Sequence, residues 1–269
     1  MNEYMSIVAE KARGSNPPAS DDIIGADGLR ICAKCGEPKE TVVNGQKVST
    51  SCRCRRDEHN GDEAKKRTEE IEIKRKACFS SHALAAVLLD AGEQTKAVRY
   101  AKEYVEHWAV AKSEGTGLLL WGDVGSGKSY IAAGIANGVI DCGSNAKMIS
   151  VTDILIEYQD NPNRKGFIDE LCGKPLLVID DLGAERDTAF GTEAIYAVIN
   201  KRYETGKPMI ITTNIPLKEM RETKDYHKKR IYDRILEVCV PVFVDGNSRR
   251  PSIGADRTKR MRKLLGVEE

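Results

Sequence analysis

The segment Gly122-Asp-Val-Gly-Ser-Gly-Lys128-Ser129 has the spacing G-x-x-x-x-G-K-S, a set of residue types suited to gripping a chain of phosphates. Glycines at those positions let backbone N–H groups turn inward around a phosphate, and a helix starting at the end of the loop adds partial positive charge at the same point. Lys128 has the reach and charge to meet the β- and γ-phosphates, and the Ser129 hydroxyl is placed to ligate Mg²⁺. The flanks suit this chemistry. An apolar run, Leu118–Trp121, precedes the loop, and a helix-like segment, Tyr130–Ala136, follows it. The expected nucleotide contacts are Gly122, Asp123, Val124, Gly125, Ser126, Gly127, Lys128, Ser129 and Tyr130, with ATP and Mg²⁺ as the implied ligands.

Further along, the apolar run Leu176–Ile179 ends in Asp180 and Asp181. After a phosphate loop, two acids at the end of a buried strand suit metal and water chemistry. Asp180 would hold Mg²⁺ through water, and Asp181 would orient or activate the attacking water. Glu185 is a second candidate for that last role. The following apolar segment, Pro208–Thr213, leads into Asn214, whose amide could hydrogen-bond the attacking water or the γ-phosphate.

Eight cysteines are present, and four of them fall in one short stretch as Cys32-x-x-Cys35 and Cys52-x-Cys54. Two close pairs sixteen residues apart give four thiolates for tetrahedral Zn²⁺, with His59 as a possible substitute ligand. Between the pairs, Thr41–Val48 reads as two short strands around an Asn44-Gly45 turn. So few apolar residues cannot make a core, so a metal would have to supply the folding energy. Cys78, Cys142, Cys172 and Cys239 sit among apolar neighbours and read as buried free thiols.

The elements needed to hold these residues are legible as an alternation. Strand candidates at 146–151, 175–181, 208–213 and 238–244 are continuous apolar runs, and helical segments starting at Thr152, Thr192 and Tyr226 separate them. That pattern predicts an α/β fold whose central parallel sheet is flanked by helices, preceded by a small zinc-ribbon-like N-terminal domain. Nucleotide should then sit at the carboxyl ends of the strands. From Ser80 to Lys112 apolar residues recur at helical spacing (Leu84, Val87, Leu88, Ala91, then Val98, Ala101, Tyr104, Val105, Trp108), predicting two core helices split at Gly92. The expected divisions are a zinc-binding domain over 1–60, a charged linker helix over 61–80, the nucleotide-binding domain over 81–250 and a basic tail over 251–269.

Composition bounds the partners. The chain has 269 residues, 41% hydrophobic and 31% charged, with a formal net charge of +1. No apolar run approaches the ~20 residues of a membrane span, and the start lacks a secretory pattern, so a cytoplasmic protein without membrane contact is expected. The global charge makes no case for nucleic acid, but Gly246–Leu264 carries seven Lys/Arg against one acid, a stretch able to contact phosphates.

The order GDVGSGKS, LLVIDDLGAE, IITTN and Lys229-Arg230-Ile-Tyr-Asp-Arg234-Ile resembles the DnaC/DnaI/IstB group of AAA+ P-loop ATPases over roughly residues 77–250. The cysteine cluster resembles that of DnaI-type bacterial helicase loaders and their phage relatives. The resemblance implies an ATPase that assembles into an ATP-dependent homo-oligomer, docks on the hexameric replicative helicase through its zinc domain and contacts single-stranded DNA. It also implies an arginine finger at Arg230, with Arg234 as the alternative, and a sensor arginine at Arg249 or Arg250. Two other readings stay open at this point: an IstB-like transposition ATPase acting on duplex DNA, and a non-hydrolysing adaptor switched by ATP.

Overall fold

The computed structural model describes residues 22–91, 94–184, 188–246, 250–265 and 267. The chain divides between Glu70 and Ile71 into two compact units.

In the first unit, strands β1 (Ile23–Ile24) and β2 (Arg30–Ile31) pair antiparallel, as do β3 (Glu40–Val43) and β4 (Gln46–Ser49). The β3–β4 connection is Asn44-Gly45, both with positive φ (50° and 76°), the combination a two-residue turn of the right twist demands. Helix α1 (Arg53–Cys78) follows directly on Cys52, belongs to this unit as far as Glu70, and is longer at its start than the linker helix read from the sequence. Among the described residues up to Glu70, the only buried side chains are Cys32 and Cys52. The centre of this unit is therefore sulfur.

The second unit is built on a five-stranded, fully parallel sheet: β5 (Gly117–Trp121), β6 (Ala146–Ser150), β7 (Leu176–Leu182), β8 (Met209–Thr213) and β9 (Cys239–Phe243), in the order β6-β7-β8-β5-β9. Alternation along each strand supplies both faces. Leu118, Leu120, Val178 and Ile210 pack with α3 (Lys96–Glu106) and α5 (Lys128–Asp141), through residues such as Val98, Tyr104, Ile131 and Val139. Leu119, Leu177, Ile179 and Ile211 form the opposite core with α6 (Val151–Asp160), α8 (Ala189–Thr205) and α10 (Tyr226–Val238). Burial on both faces is why these strands read as unbroken apolar runs.

Three local expectations are corrected. The stretch read as one helix before Gly92 is a single helical turn, α2 (His82–Ala85), and a 3₁₀ turn, Leu89–Ala91, leaving Leu88 47% exposed. Buried Asn137 of α5 explains this: its Nδ2 donates to the carbonyls of Leu84 (3.0 Å) and Val87 (2.9 Å), holding the backbone between the two turns out of helical geometry. Cys142 is exposed rather than buried. The segment from Arg250 to Leu265, read as a tail, is helix α11. Helices α4 (Trp108–Glu114), α7 (Arg164–Gly173) and α9 (Leu217–Glu222) complete the unit. Gly92 lies outside the described residues.

Candidate nucleotide site and cysteine cluster

Strand β5 delivers the chain into the loop at Gly122, and α5 begins at Lys128. Gly125 and Gly127 take φ of 84° and 98°, values that side chains with a Cβ rarely adopt, and Gly127 caps α5 with no side chain over its N-terminus. Lys128 is buried, with Nζ donating to the carbonyls of Gly122 (2.9 Å) and Asp123 (2.6 Å), so its ammonium spans the loop from inside. Ser126 Oγ is buried with no hydrogen-bond partner. A buried lysine, an orphaned hydroxyl and an uncapped helix start fit a polyanion such as a triphosphate. Ser129 lies in the first turn of α5, half-buried, while Asp123, Val124 and Tyr130 are exposed around the loop.

The acids belong to the same edge of the sheet. Trp121 of β5 pairs with Thr213 of β8, so Gly122 and Asn214 leave the sheet at one level. Between β7 and β8 the register shifts after Ile179 and resumes at Leu182, a bulge that contains Asp180 and Asp181. Asp181 takes φ of 65°, one of two non-glycine residues with positive φ among those described. The side chain of Thr212 donates to Asp180 Oδ1 (2.6 Å) and accepts the Asp181 N–H (2.8 Å), and Asn214 Nδ2 lies 3.3 Å from Asp181 Oδ1. The structure thus brings Asp180, Asp181 and Asn214 into one hydrogen-bonded group. It adds Thr212, to which the sequence reading gave no role although a hydroxyl on an otherwise apolar buried strand is a readable anomaly.

Arg230 and Arg234 form a third group, on α10. The Arg230 guanidinium donates to Tyr196 Oη (2.5 Å) and lies 4.6 Å from the Tyr196 ring centre, and that of Arg234 lies 5.0 Å from the same ring. Arg230 is exposed beside a 510 Å³ cleft lined also by Thr188, Glu193, Tyr196 and His227, whereas Arg234 is half-buried and donates to the Arg230 carbonyl (3.2 Å). Tyr196 was not singled out from sequence. Glu185 and Arg249 lie outside the described residues, as does the side chain of Arg250.

In the first unit the sulfurs of Cys32, Cys35 and Cys52 lie within 4.8 Å of one another. On a tetrahedral Zn²⁺ with ~2.3 Å bonds, sulfurs sit about 3.8 Å apart, so the three are gathered nearly to ligand spacing. Cys54 stands outside this trio but hydrogen-bonds Cys35, which pushes the Cys54 thiol up to about 11. The backbone N–H groups of Glu37 and Cys54 point at Cys35 and lower its thiol to about 6, favouring a thiolate. Three gathered thiols where a core would be, with Cys54 hydrogen-bonded to one of them, form a donor set that suits a structural Zn²⁺. His59 does not join them; on exposed α1 its Nε2 pairs with Glu63 (3.2 Å).

A parallel sheet in the order β6-β7-β8-β5-β9, with a phosphate loop after β5 and paired acids near the end of β7, defines the fold of a P-loop nucleotide-binding protein. The family model for IstB-like ATP binding proteins matches residues 106–254, more than half of the chain, and the chain belongs to that family. It is 27% identical over 150 residues to the replicative helicase loader DnaI of Bacillus subtilis, covering 51% of this chain and 48% of that one. It is 26% identical over 147 residues to the replicative helicase loader DnaC of Escherichia coli K12 (53% and 58% covered), and 24% identical over 155 residues to a putative ATP-binding protein in an insertion sequence of Mycobacterium tuberculosis (54% and 59%). The chain therefore spans about half the length of these curated relatives. Crystal structures of the DnaC helicase loader (TM-score 0.55, 22% identity, 61% of this chain and all of that one) and of DnaI (0.56, 21%, 65% and 98%) share the fold. No helix among the described residues is long and apolar enough to cross a membrane.

Proposed function

We propose that this protein is an ATP-hydrolysing loader of a hexameric replicative helicase. The observation that carries the ATPase half is the single edge of the sheet on which Lys128, Asp180, Asp181 and Asn214 gather, beside an anion-binding loop. Mg²⁺, held by Ser129 and by Asp180 through water, would neutralise charge on the transferred phosphoryl group. Asp181 and Asn214 orient the attacking water, and Gly122–Tyr130 wrap the triphosphate. Arg230, exposed on α10, reaches the ATP of a neighbouring copy, so hydrolysis depends on assembly. Arg249 or Arg250 would serve as the sensor arginine. The loader half is supported by similarity to two helicase loaders and by a separate unit centred on a cysteine cluster. That unit, folded on Zn²⁺ held by Cys32, Cys35, Cys52 and Cys54, docks on the helicase, while the ATPase unit contacts single-stranded DNA.

Native mass spectrometry of the protein mixed with a replicative helicase, ATP and Mg²⁺ tests this. A defined complex, lost in a Cys32→Ser/Cys35→Ser variant, is the expected result. Absence of any complex would overturn it. A second reading, a transposition ATPase assembling on duplex DNA, is favoured by the matched family and by the insertion-sequence relative. Oligomers on duplex DNA without helicase binding would select that reading instead.

A further inference from the structure

Strand β7 departs from its ladder where its chemistry lies. Up to Ile179 it pairs in register with β8, and pairing resumes at Leu182, leaving Asp180 and Asp181 in the bulge. A bulge bends the strand, strands a backbone donor and re-aims side chains, and it persists only where something compensates. Here the compensation is one hydroxyl. Thr212 is 1% exposed and reaches the bulge from within the sheet. Its Oγ1 accepts the stranded Asp181 N–H at 2.8 Å and donates to Asp180 Oδ1 at 2.6 Å. The first bond holds Asp181 in its left-handed conformation, φ 65°. The second occupies one oxygen of the Asp180 carboxylate and fixes the direction of the other. The neighbouring Thr213 closes the bulge, donating to the Leu182 carbonyl (2.7 Å) and accepting the Ile215 N–H (3.0 Å).

We infer that Thr212 is the positioning residue of the site: through a single hydroxyl it sets both the metal-facing carboxylate of Asp180 and the backbone conformation from which Asp181 presents its own carboxylate. The inference rests on the reading of those two acids given above. It couples the two acids, because one Oγ1 joins the Asp180 carboxylate to the backbone N–H of Asp181, and it assigns to the floor of the site a residue that acts through its neighbours.

The test uses the full chain with ATP and Mn²⁺, whose electron paramagnetic resonance signal reports metal binding without any need for turnover or assembly. Thr212→Val keeps the shape and removes the hydroxyl. It should bind ATP in EDTA as the unaltered protein does, yet bind Mn²⁺ in the ATP complex about tenfold more weakly, the cost typical of losing a partner that orients a metal ligand. Thr212→Ser keeps the hydroxyl and should restore Mn²⁺ affinity to within about twofold. Thr212→Ala, which cannot overpack, should follow valine. Unchanged Mn²⁺ affinity in the valine and alanine variants would overturn the inference. So would loss of ATP binding in EDTA in both, since Thr212 would then hold the fold rather than the acids. Asp180→Asn separates the layers. If it weakens Mn²⁺ binding while Thr212→Val does not, only the role of Thr212 fails; if it has no effect, the reading of Asp180 fails first.

Discussion

Lys128 sits inside the phosphate loop with its ammonium against the carbonyls of Gly122 and Asp123. An anion satisfies a buried cation better than backbone carbonyls do, so a triphosphate gains from meeting this ammonium. Lys128→Ala should weaken ATP binding at least about 100-fold, about 3 kcal/mol, by titration calorimetry; retained affinity would refute the loop as the nucleotide site. Arg230 is held differently, on the face and hydroxyl of Tyr196 at the surface. As a finger it contributes only to the neighbour's transition state. Arg230→Ala should leave ATP affinity unchanged and cut turnover of the assembled protein by about 10³-fold. Unchanged turnover would move the finger to Arg234 or disprove a shared site. The residues proposed to touch phosphate were singled out in the sequence because their types and spacing suit phosphate chemistry. The structure brings Asp180, Asp181 and Asn214 of that set into one hydrogen-bonded group. Thr212 and Tyr196 hydrogen-bond members of that set across 31 and 34 positions; the strand hydroxyl of Thr212 was a readable anomaly, but only the tertiary contact gives it a role.

At the scale of elements, strands were more legible than helices. A strand buried on both faces, such as Leu176–Ile179, needs apolar residues throughout, whereas the bulge that follows depends on β8 and is invisible in β7 alone. The misread helix before Gly92 failed for the same reason: its apolar spacing is right, but Asn137, some fifty residues on, claims its carbonyls. Helix α7 was missed although buried Arg202 ties its end to the sheet, donating to the carbonyls of Cys172 (2.9 Å), Lys174 (2.7 Å), Pro175 (3.2 Å) and Pro208. The cysteine unit is the opposite case. Its Asn-Gly hairpin and paired thiols are local, and so both were readable. With no buried side chain but Cys32 and Cys52 among its described residues, it lacks the apolar area to offset the entropy of folding. Metal analysis should give one Zn²⁺ per chain. In Cys32→Ser/Cys35→Ser the metal should be absent and residues up to about Glu70 should lose amide-exchange protection, with ATP affinity unchanged. Full protection without metal would mean that sulfur packing alone suffices.

Over the whole molecule, a net charge of +1 conceals a segregated distribution. Helix α1 interleaves nine basic and seven acidic residues between Arg53 and Lys76, charges that largely cancel at any distance beyond the Debye length. Helix α11 does not cancel. From Arg257 to Leu265 its side chains are exposed, and Arg257, Lys259, Arg260, Arg262 and Lys263 meet no acid within that stretch. On the proposed loader reading, contact with whichever strand is met requires affinity without base reading, and bonds to phosphates supply that. Replacing these five cations with Gln should therefore weaken single-stranded DNA binding evenly across sequences. The slope of log K against log salt should flatten by about 0.7 for each phosphate no longer neutralised, while ATP affinity stays constant. Binding isotherms at several salt concentrations read this directly. A slope that does not change would place the DNA-binding surface on the ATPase unit proper, and weakening confined to particular sequences would point to base readout in place of an electrostatic grip.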